Sequence, residues 1–202
     1  MFDNFKKQMD QFKNNKNLVH NGGIWLLEPT NIIKFYVREE PYGFLSNFWR
    51  QIQIVQGNYL VNDSNVPHLS IHEYPTNEHF YQSCKAKRPE VANWIRQAPT
   101  ATIAMKAGRS LPEKEVREDW EKIKVSIMKM GLEAKFKNEN LAIMLLWTGD
   151  SVLIENSPTD MFWGGSLPGS QNMLGKLLME IRDEINSEDY NVPYNSINTW
   201  EL

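Results

Sequence analysis

The chain has 202 residues, 41% of them hydrophobic, which is typical of one soluble domain with a sizeable core. Its formal net charge of -3 excludes a global basic field that would draw it to nucleic acid. The single cysteine, Cys84, excludes an internal disulfide framework, and the longest apolar run, residues 141–147, is too short to span a membrane. The N-terminus shows no secretory signal pattern, so we expect a cytoplasmic protein without a membrane partner.

The first predicted element is an amphipathic helix within residues 1–17, followed by an Asn- and Gly-rich linker. Residues 32–37, IIKFYV, are β-branched and aromatic and predict a strand. The alternating residues 50–55 predict a second strand, with a turn at QGN and a return strand at YLV. HLSIH, residues 68–72, is a candidate for a further strand. Together these segments predict a small, mainly antiparallel sheet.

From residue 76 onward the pattern is helical. Thr76 or Asn77 can cap a first helix, and Glu78 then lies in its first turn, where a carboxylate is favourable. A helix from about Arg117 carries an apolar stripe at a 3-4 spacing, formed by Trp120, Ile123, Ile127, Met130 and Ala134. Three later elements complete the chain: a buried helix over 141–147 ending at Gly149, a strand over 151–155, and a helix from about Asn172 with Leu174, Leu177, Leu178, Ile181 and Ile185 on one face.

This order of elements, with strands early and helices late, predicts an α+β fold that is a helix-rich single domain. Within it, the stretch PTNEHFYQSCKA places Glu78, Gln82 and Lys85 on one side of a helix. A solvated, salt-bridged row of charges has the same pattern. The functional alternative requires Glu78 to be partly buried as an acid or base and Lys85 to be desolvated enough to act as a nucleophile.

A glycine-rich loop precedes the last predicted helix. It contains Asp160, Trp163, Gly164 and Gly165, and a loop at a helix N-terminus offers free backbone N–H groups to an anionic ligand. The pattern matches no standard phosphate-binding motif, and a plain surface loop before a capped helix explains it equally well.

Three further candidates are polar or aromatic residues in distinctive surroundings. Ser46 and Asn47 lie among aromatic residues in YGFLSNFW and suit a ring or a sugar, while Arg109 is a cation that follows a glycine. Trp120 begins a helix, and by its place in the apolar stripe it is a core residue. The four histidines are scattered, so we expect neither a metal site nor a cofactor.

Four stretches of the sequence resemble one known family. YGFLSNFW, TNEHFYQSCKA, KAGRSL with VREDWEKIKVSIMKMGLEAKF, and LIENSPTDMFWGGS with NMLGKLLMEIR occur in the order seen in the NADAR family of YbiA-like N-glycosidases. The resemblance covers roughly residues 32–185. It implies a NADAR-type α+β domain over residues 32–187, an N-terminal extension over 1–31 and a C-terminal tail over 188–202.

The resemblance also implies an activity, namely cleavage of the bond joining a ribose C1 to a nitrogen base. The implied substrates are small molecules: riboflavin-pathway ribosylaminopyrimidine intermediates, which are ribosyl phosphates, or ADP-ribose linked to guanine. Nucleic acid enters only as an ADP-ribosylated substrate. The catalytic positions of the family correspond here to Glu78, Lys85, Trp120, Asp160 and Trp163, with the lysine forming a Schiff base with the opened sugar. The predicted binding residues are Ser46, Asn47, Gln82, Arg109, Gly164 and Gly165.

The alternative to an enzyme is a module that binds ADP-ribose or a related nucleotide without cleaving it. Two differences from the family pattern bear on the pocket. About a dozen extra residues, within LVNDSNVPHLSIHEYP, precede Glu78, and Ala86 stands after Lys85 where an aromatic residue is common in the family. Substrate choice is therefore the property that the family resemblance predicts least well.

Overall fold

The computed structural model describes residues 18–21, 24–27, 31–56 and 71–187. The chain divides into two compact units, one formed by residues up to Ser46 together with those from Ala142 onward, and the other by Asn47–Leu141. The helix predicted within residues 1–17, the return strand at YLV and the tail after residue 187 lie outside the described residues. The predicted domain boundaries stay predictions.

The described strands form three two-stranded sheets. Strands β1 (Leu18–Asn21) and β2 (Ile24–Leu27) are antiparallel, and so are β4 (Gln53–Gln56) and β5 (Ile71–Tyr74). The third pair is parallel and joins β3 (Ile32–Phe35) to β6 (Val152–Glu155). The predicted strands at 32–37, 50–55 and 151–155 are confirmed, but the predicted linker before residue 31 is wrong in part, because β1 and β2 lie there.

Six α-helices follow within the described residues, and they confirm the helix-rich α+β class. They are α1 (Asn77–Cys84), α2 (Pro89–Arg96), α3 (Ala101–Arg109), α4 (Trp120–Phe136), α5 (Glu139–Leu146) and α6 (Met173–Ser187). Gly149 has a φ of 52°, a left-handed conformation that glycine adopts easily, and this agrees with its predicted place just after a helix. Within the described residues, no helix has the length and apolar character needed to cross a bilayer.

Helix α1 is the centre of the unit Asn47–Leu141, where α2, α3, α4 and β5 pack around it. All eight of its residues are buried. The aromatic rings of Tyr74 on β5 and Phe80 on α1 meet edge to face, with centroids 5.1 Å apart. A helix enclosed on every side has no solvent-facing row, so any polar side chain on α1 must find its partners inside the protein.

The buried face of α4 differs in part from the predicted apolar stripe. Trp120 and Ile127 are buried as expected, whereas Met130 and Ala134 are only partly buried. Gly131 and Lys135 belong to the buried face instead. A Cβ on Gly131 would lie 1.9 Å from Asn77 Oδ1, so close packing against α1, rather than side-chain hydrophobicity, selects glycine there.

In the other unit, α6 packs on β6. Gly175 permits this contact, since a Cβ there would lie 2.1 Å from the carbonyl oxygen of Leu153. Arg182 is buried on α6, and its Nη1 donates to Thr148 Oγ1 at 2.8 Å and to the Ser151 carbonyl at 3.0 Å. The predicted face of the last helix is confirmed by the buried side chains of Leu174, Leu177, Leu178 and Ile181.

Candidate active site

The polar row on α1 faces the protein interior rather than water. Thr76 caps the helix, and its Oγ1 accepts a hydrogen bond from the N–H of His79 at 3.3 Å. Glu78 and Gln82 are only 6% and 5% exposed, while Lys85, at the C-terminal end of the helix, is partly buried. Of the two interpretations left open by the sequence, a solvated row of charges is therefore excluded for Glu78 and Gln82.

Glu78 is held by contacts from two directions. Its carboxylate Oε1 accepts a hydrogen bond from Gln82 Nε2 at 2.8 Å, within the same helix. Its backbone N–H donates to the carbonyl of Asn47 at 3.1 Å. A buried carboxylate needs such donors, because burial without them strongly disfavours the ionised form. The first turn of α1 also places Glu78 where the helix dipole favours negative charge.

A buried amide network lies beside Glu78. Asn77 Nδ2 donates to Asn47 Oδ1 at 2.8 Å and to Met128 Sδ at 3.3 Å, while Gln53 Nε2 donates to Asn77 Oδ1 at 3.2 Å. Asn47 Nδ2 also contacts Met128 Sδ, at 3.4 Å. The amide of Asn47, predicted to bind the substrate, thus contacts both α1 and α4, while the contact between α1 and β4 is made by Asn77 and Gln53. Its role in substrate binding stays a prediction.

Lys85 is anchored through its backbone and desolvated at its amine. Its carbonyl accepts a hydrogen bond from the N–H of Arg117 at 3.1 Å. Burial lowers the pKa of Lys85 from its ordinary value, and the Arg109 guanidinium lowers it further, while the Glu121 carboxylate opposes the shift.

Trp120 is buried at the start of α4, with 6% of its surface exposed. Its ring centroid lies 4.9 Å from that of Tyr81, at an interplanar angle of 56°. Trp120 therefore joins α4 to α1 as the apolar stripe predicted. Cys84, the last residue of α1, is fully buried, and burial raises the pKa of its thiol to about 12, so it is no nucleophile at neutral pH.

The glycine-rich loop belongs to the other unit, and Asp160 organises it. Asp160 Oδ1 accepts hydrogen bonds from the backbone N–H groups of Phe162 at 3.0 Å and Trp163 at 2.7 Å. A Cβ on Gly164 would lie 2.4 Å from the carbonyl oxygen of Asp160, so the turn has room for glycine alone. Trp163 is partly buried and meets the ring of Phe162 edge to face at 4.9 Å.

The loop is hydrogen-bonded to its own helix. The N–H groups of Asn172, Met173 and Leu174 donate to the carbonyls of Gly164, Phe162 and Trp163 at 2.7 to 3.2 Å. The N–H of Gly165 donates to the Glu155 carbonyl at 2.8 Å. The expectation that this loop offers free N–H groups to an anion is therefore wrong for these four groups. Binding of substrate by Gly164 and Gly165 stays a prediction, without these N–H groups as donors.

Asn172 is a residue that the sequence reasoning did not place in the site. Its side chain accepts from the N–H of Glu155 at 3.1 Å and donates to the Leu153 carbonyl at 2.8 Å, so it ties the loop to the edge of β6. Its φ of 52° places it in the left-handed region, which asparagine tolerates better than most residues. An asparagine just before a predicted helix was the signal available in the sequence.

The NADAR domain family matches residues 34–186 of the chain. The chain belongs to the NADAR family. The predicted resemblance is thereby confirmed.

Curated relatives of this NADAR chain have names that agree on an activity. The chain is 32% identical over 156 residues to N-glycosidase YbiA of Escherichia coli strain K12, covering 76% of this chain and 88% of the relative. It is 36% identical over 158 residues to an N-glycosidase of Nostoc punctiforme, covering 76% and 92%. These names confirm the predicted enzyme class, a hydrolase of N-glycosyl bonds.

A third relative is longer. The chain is 37% identical over 169 residues to the chloroplastic riboflavin biosynthesis protein PYRR of Zea mays, covering 77% of this chain but 25% of that protein. The NADAR chain thus spans about a quarter of the maize protein and most of the length of the N-glycosidases.

A solved structure supports the same fold. The NMR structure of E. coli YbiA matches with a TM-score of 0.65 at 29% sequence identity, covering 88% of this NADAR chain and 93% of the E. coli protein. The predicted NADAR-type α+β fold is therefore confirmed.

The predicted site residues of this NADAR domain fall into two groups. The unit Asn47–Leu141 brings together Glu78, Gln82, Lys85, Arg109 and Trp120, with Asn47 behind them. Ser46, buried after a short 3-10 turn, belongs to the other unit, as do Asp160, Trp163, Gly164 and Gly165. Among residues 31–56 and 71–187, no three His, Cys, Asp or Glu side chains are grouped as metal ligands would be.

Proposed function

We propose that the chain is an N-glycosidase that hydrolyses the C1–N bond of a phosphorylated ribosyl compound. The observation that carries the proposal is helix α1, which has a buried carboxylate, Glu78, in its first turn and is followed directly by an amine of lowered pKa, Lys85. Membership of the NADAR family and the names of its relatives support the same reaction.

The carboxylate suits the charge that the reaction creates. Breaking the C1–N bond builds positive, oxocarbenium-like charge on the ribose, which a nearby carboxylate stabilises. Because Glu78 is 6% exposed, its charge is screened less by water than that of a surface carboxylate. We propose that Glu78 lies against the sugar, and that the exposed Arg109 meets the phosphate.

Lys85 supplies a covalent route. The unprotonated Nζ donates its electron pair to C1, and the electron pair of the C1–N bond leaves with the base, which takes up a proton. Opening of the sugar ring then gives an imine between C1 and Nζ. Water adds to the imine carbon, and its hydrolysis returns the free amine and releases the ribose phosphate. In the other route a water activated by Glu78 attacks C1 directly, and Lys85 stays charged beside the phosphate.

The proposed substrates are the ribosylaminopyrimidine phosphates of riboflavin synthesis, and the name of the maize relative supports this choice. ADP-ribose linked to guanine is the second substrate class that family membership suggests, and nucleic acid would enter only in that form. Trp120 is proposed to contact the base, as its position in the family motif implies, and the role of Trp163 stays a prediction. Action in the cytoplasm also stays a prediction.

Mass spectrometry of reaction products tests the proposal. The purified chain is incubated with ribosylaminopyrimidine phosphates, ADP-ribosylated guanosine, NAD and ADP-ribose, and we expect a free base from at least one of them. Glu78→Gln, which keeps the shape of the side chain, should lower turnover by at least about 100-fold. Glu139→Gln is the matched control, because Glu139 is an exposed carboxylate in the first turn of α5.

Two results would contradict the proposal. Turnover of Glu78→Gln close to that of the wild type would remove the carboxylate from the chemistry. Binding of a ribosyl phosphate by the wild type, with no base released from any candidate, would favour a non-catalytic nucleotide-binding module.

A further inference from the structure

Gln82 on α1 and Gly108 on α3 approach each other too closely for any side chain at position 108. A Cβ built on Gly108 would lie 2.0 Å from Gln82 Oε1 and 2.8 Å from Gln82 Cδ. Glycine within a helix is less favourable than alanine, since it loses more backbone freedom on folding. The glycine is therefore explained by the space that the Gln82 amide occupies.

The two ends of the Gln82 side-chain amide differ in their hydrogen bonding. Its Nε2 donates to Glu78 Oε1 at 2.8 Å, whereas its Oε1 is buried and has no hydrogen-bond partner among the residues that the structure describes. A buried carbonyl without a donor is destabilising, and a methionine would fill a similar volume without that cost. An unsatisfied buried group in a folded protein calls for a reason. Here the reason is the N–H group that the same amide presents to Glu78.

We propose that Gln82, held in place by Gly108, is a positioning residue that fixes the carboxylate of Glu78 for reaction with the sugar. This inference rests on the proposed function. A glutamate side chain has three rotatable bonds, and its terminal torsion is broad. The hydrogen bond from Nε2, four residues along the same helix, restricts that torsion. Gly108 fixes Gln82 in turn, so two helices together set the direction of one carboxylate.

This role differs from the substrate or phosphate binding predicted for Gln82, and kinetics separate the two. Gln82→Met keeps the length of the side chain but removes the N–H donor. If Gln82 positions Glu78, kcat should fall by about 10- to 100-fold, with KM changed by no more than about twofold. If Gln82 binds the substrate in ground and transition states alike, KM rises at unchanged kcat, and the proposal is overturned.

A pair of variants at Gly108 tests the second contact. Gly108→Ala should lower kcat in the wild-type background, because the added Cβ displaces the Gln82 amide. In a Gln82→Ala background, two of the three atoms closest to the added Cβ are absent, so Gly108→Ala should lower kcat little further. Thr102→Ala, at an exposed position of the same helix, is the control and should leave kcat unchanged. Additive losses in the double variant would overturn the coupling.

A readout that needs no turnover distinguishes this proposal from the proposed function. The side-chain amide of Gln82, observed by NMR in a 15N-labelled chain, should exchange slowly with solvent in the wild type and faster in Gly108→Ala. An unchanged amide signal in Gly108→Ala would overturn the positioning role. Absence of turnover by the wild type on every substrate, with the amide behaving as expected, would instead overturn the proposed function.

Discussion

Asp160 holds two backbone N–H groups of its loop with one carboxylate oxygen. Asparagine keeps an acceptor oxygen at that place but loses the charge. Asp160→Asn should therefore keep thermal stability within about 0.5 kcal/mol, while Asp160→Ala should lose about 0.5–2 kcal/mol, as for a lost helix cap. If the charge acts on the sugar, as the family motif implies, Asp160→Asn should still lower kcat by about 100-fold.

Thermal unfolding and steady-state kinetics of the two Asp160 variants separate these roles. Asp160→Asn with kcat close to the wild type and full stability would show that Asp160 serves the loop alone. Ser166→Ala is a control for the loop, because it removes a different hydrogen bond there, from the Oγ of the exposed Ser166 to the Ser157 carbonyl.

Lys85 can be tested through the two charged groups that shift its pKa. The Schiff-base route requires an unprotonated amine, so the rate should rise with pH until it passes the pKa of Lys85. Arg109 lowers that pKa and Glu121 raises it. Arg109→Ala should therefore move the rising limb of the kcat–pH profile to higher pH, and Glu121→Gln should move it to lower pH.

Borohydride added during turnover gives the direct control for the Lys85 prediction, because only an imine is reduced to a stable adduct. A sugar adduct on the peptide containing Lys85 is expected by mass spectrometry. No adduct, together with substantial activity in Lys85→Arg, would assign Lys85 to phosphate binding and the cleavage to water.

At the scale of elements, two helices offer a matched pair of caps. Thr76 Oγ1 accepts from the N–H of His79 at 3.3 Å on α1, and Thr100 Oγ1 accepts from the N–H of Ile103 at 3.2 Å on α3. Either alanine variant should lose about 0.5–2 kcal/mol of stability. Thr76→Ala should lose more, since the Thr76 hydroxyl also contacts His79 Nδ1 at 2.7 Å.

The tautomer of His79 explains that second contact. The carbonyl of Ala98 lies 3.0 Å from His79 Nε2 and can only accept, so Nε2 carries the proton and Nδ1 accepts from the Thr76 hydroxyl. Thr76→Ala should also lower kcat, because the capped turn contains Glu78. Chemical denaturation of both variants measures the two losses of stability. Equal losses in Thr76→Ala and Thr100→Ala would contradict the prediction that Thr76→Ala loses more.

Lys135 on α4 is 1% exposed, and burial lowers its pKa to about 7. Its ordinary value is 10.5, so between about pH 7 and 10.5 the unfolded chain binds a proton that the folded chain does not. The contribution of Lys135 to stability is therefore most unfavourable at and below pH 7, and it improves as pH rises towards 10.5, by at most about 1.4 kcal/mol per pH unit.

Lys135→Met removes this dependence. The free energy of unfolding of the wild type, measured relative to Lys135→Met by denaturant titration, should rise between pH 7 and 10. Lys122→Met is the control, because Lys122 is exposed on the same helix. Parallel pH profiles for the wild type and Lys135→Met would contradict the lowered pKa.

These helices also show what the sequence could predict. Helical spacing placed Glu78 and Gln82 on one side of α1 correctly, because spacing is a local property. Their burial was not predictable from spacing, since α2, α3 and α4 cover α1 only in the folded unit. Gly131 and Lys135 were missed on α4 for a related reason: close backbone approach and a buried amine leave no mark in an apolar pattern.

At the scale of the whole molecule, the order of elements was sufficient to predict the α+β class. The division into two compact units was not predicted, because one of them combines described residues before Asn47 with described residues after Leu141. Its parallel pair sets Ile32 opposite Val152, and pairing between such distant residues follows from no local pattern.

The antiparallel pair β4–β5 leads to a prediction at this scale. Gln56 and Ile71 are register partners, so the ends of segment 57–70 are held together by strand pairing. Replacing residues 57–70 by a four-residue turn should leave a cooperatively folding chain, since the entropy of loop closure changes by only about 1 kcal/mol. Thermal unfolding checks this, and loss of a cooperative transition would contradict it. A changed ratio of kcat/KM between substrates would show that the segment contributes to substrate choice.

Because the strand ends at Gln56 and Ile71 are paired, the segment between them is a suitable site for inserting a foreign sequence. Peptides of quite different lengths share the same two anchor points, and doubling the length of an insert costs only about 0.6 kcal/mol in closure. An epitope, a fluorescent reporter or a library of random peptides can be inserted between these two residues. The sequence of Thr76 and α1, which begins a few residues later, is not altered by the insertion.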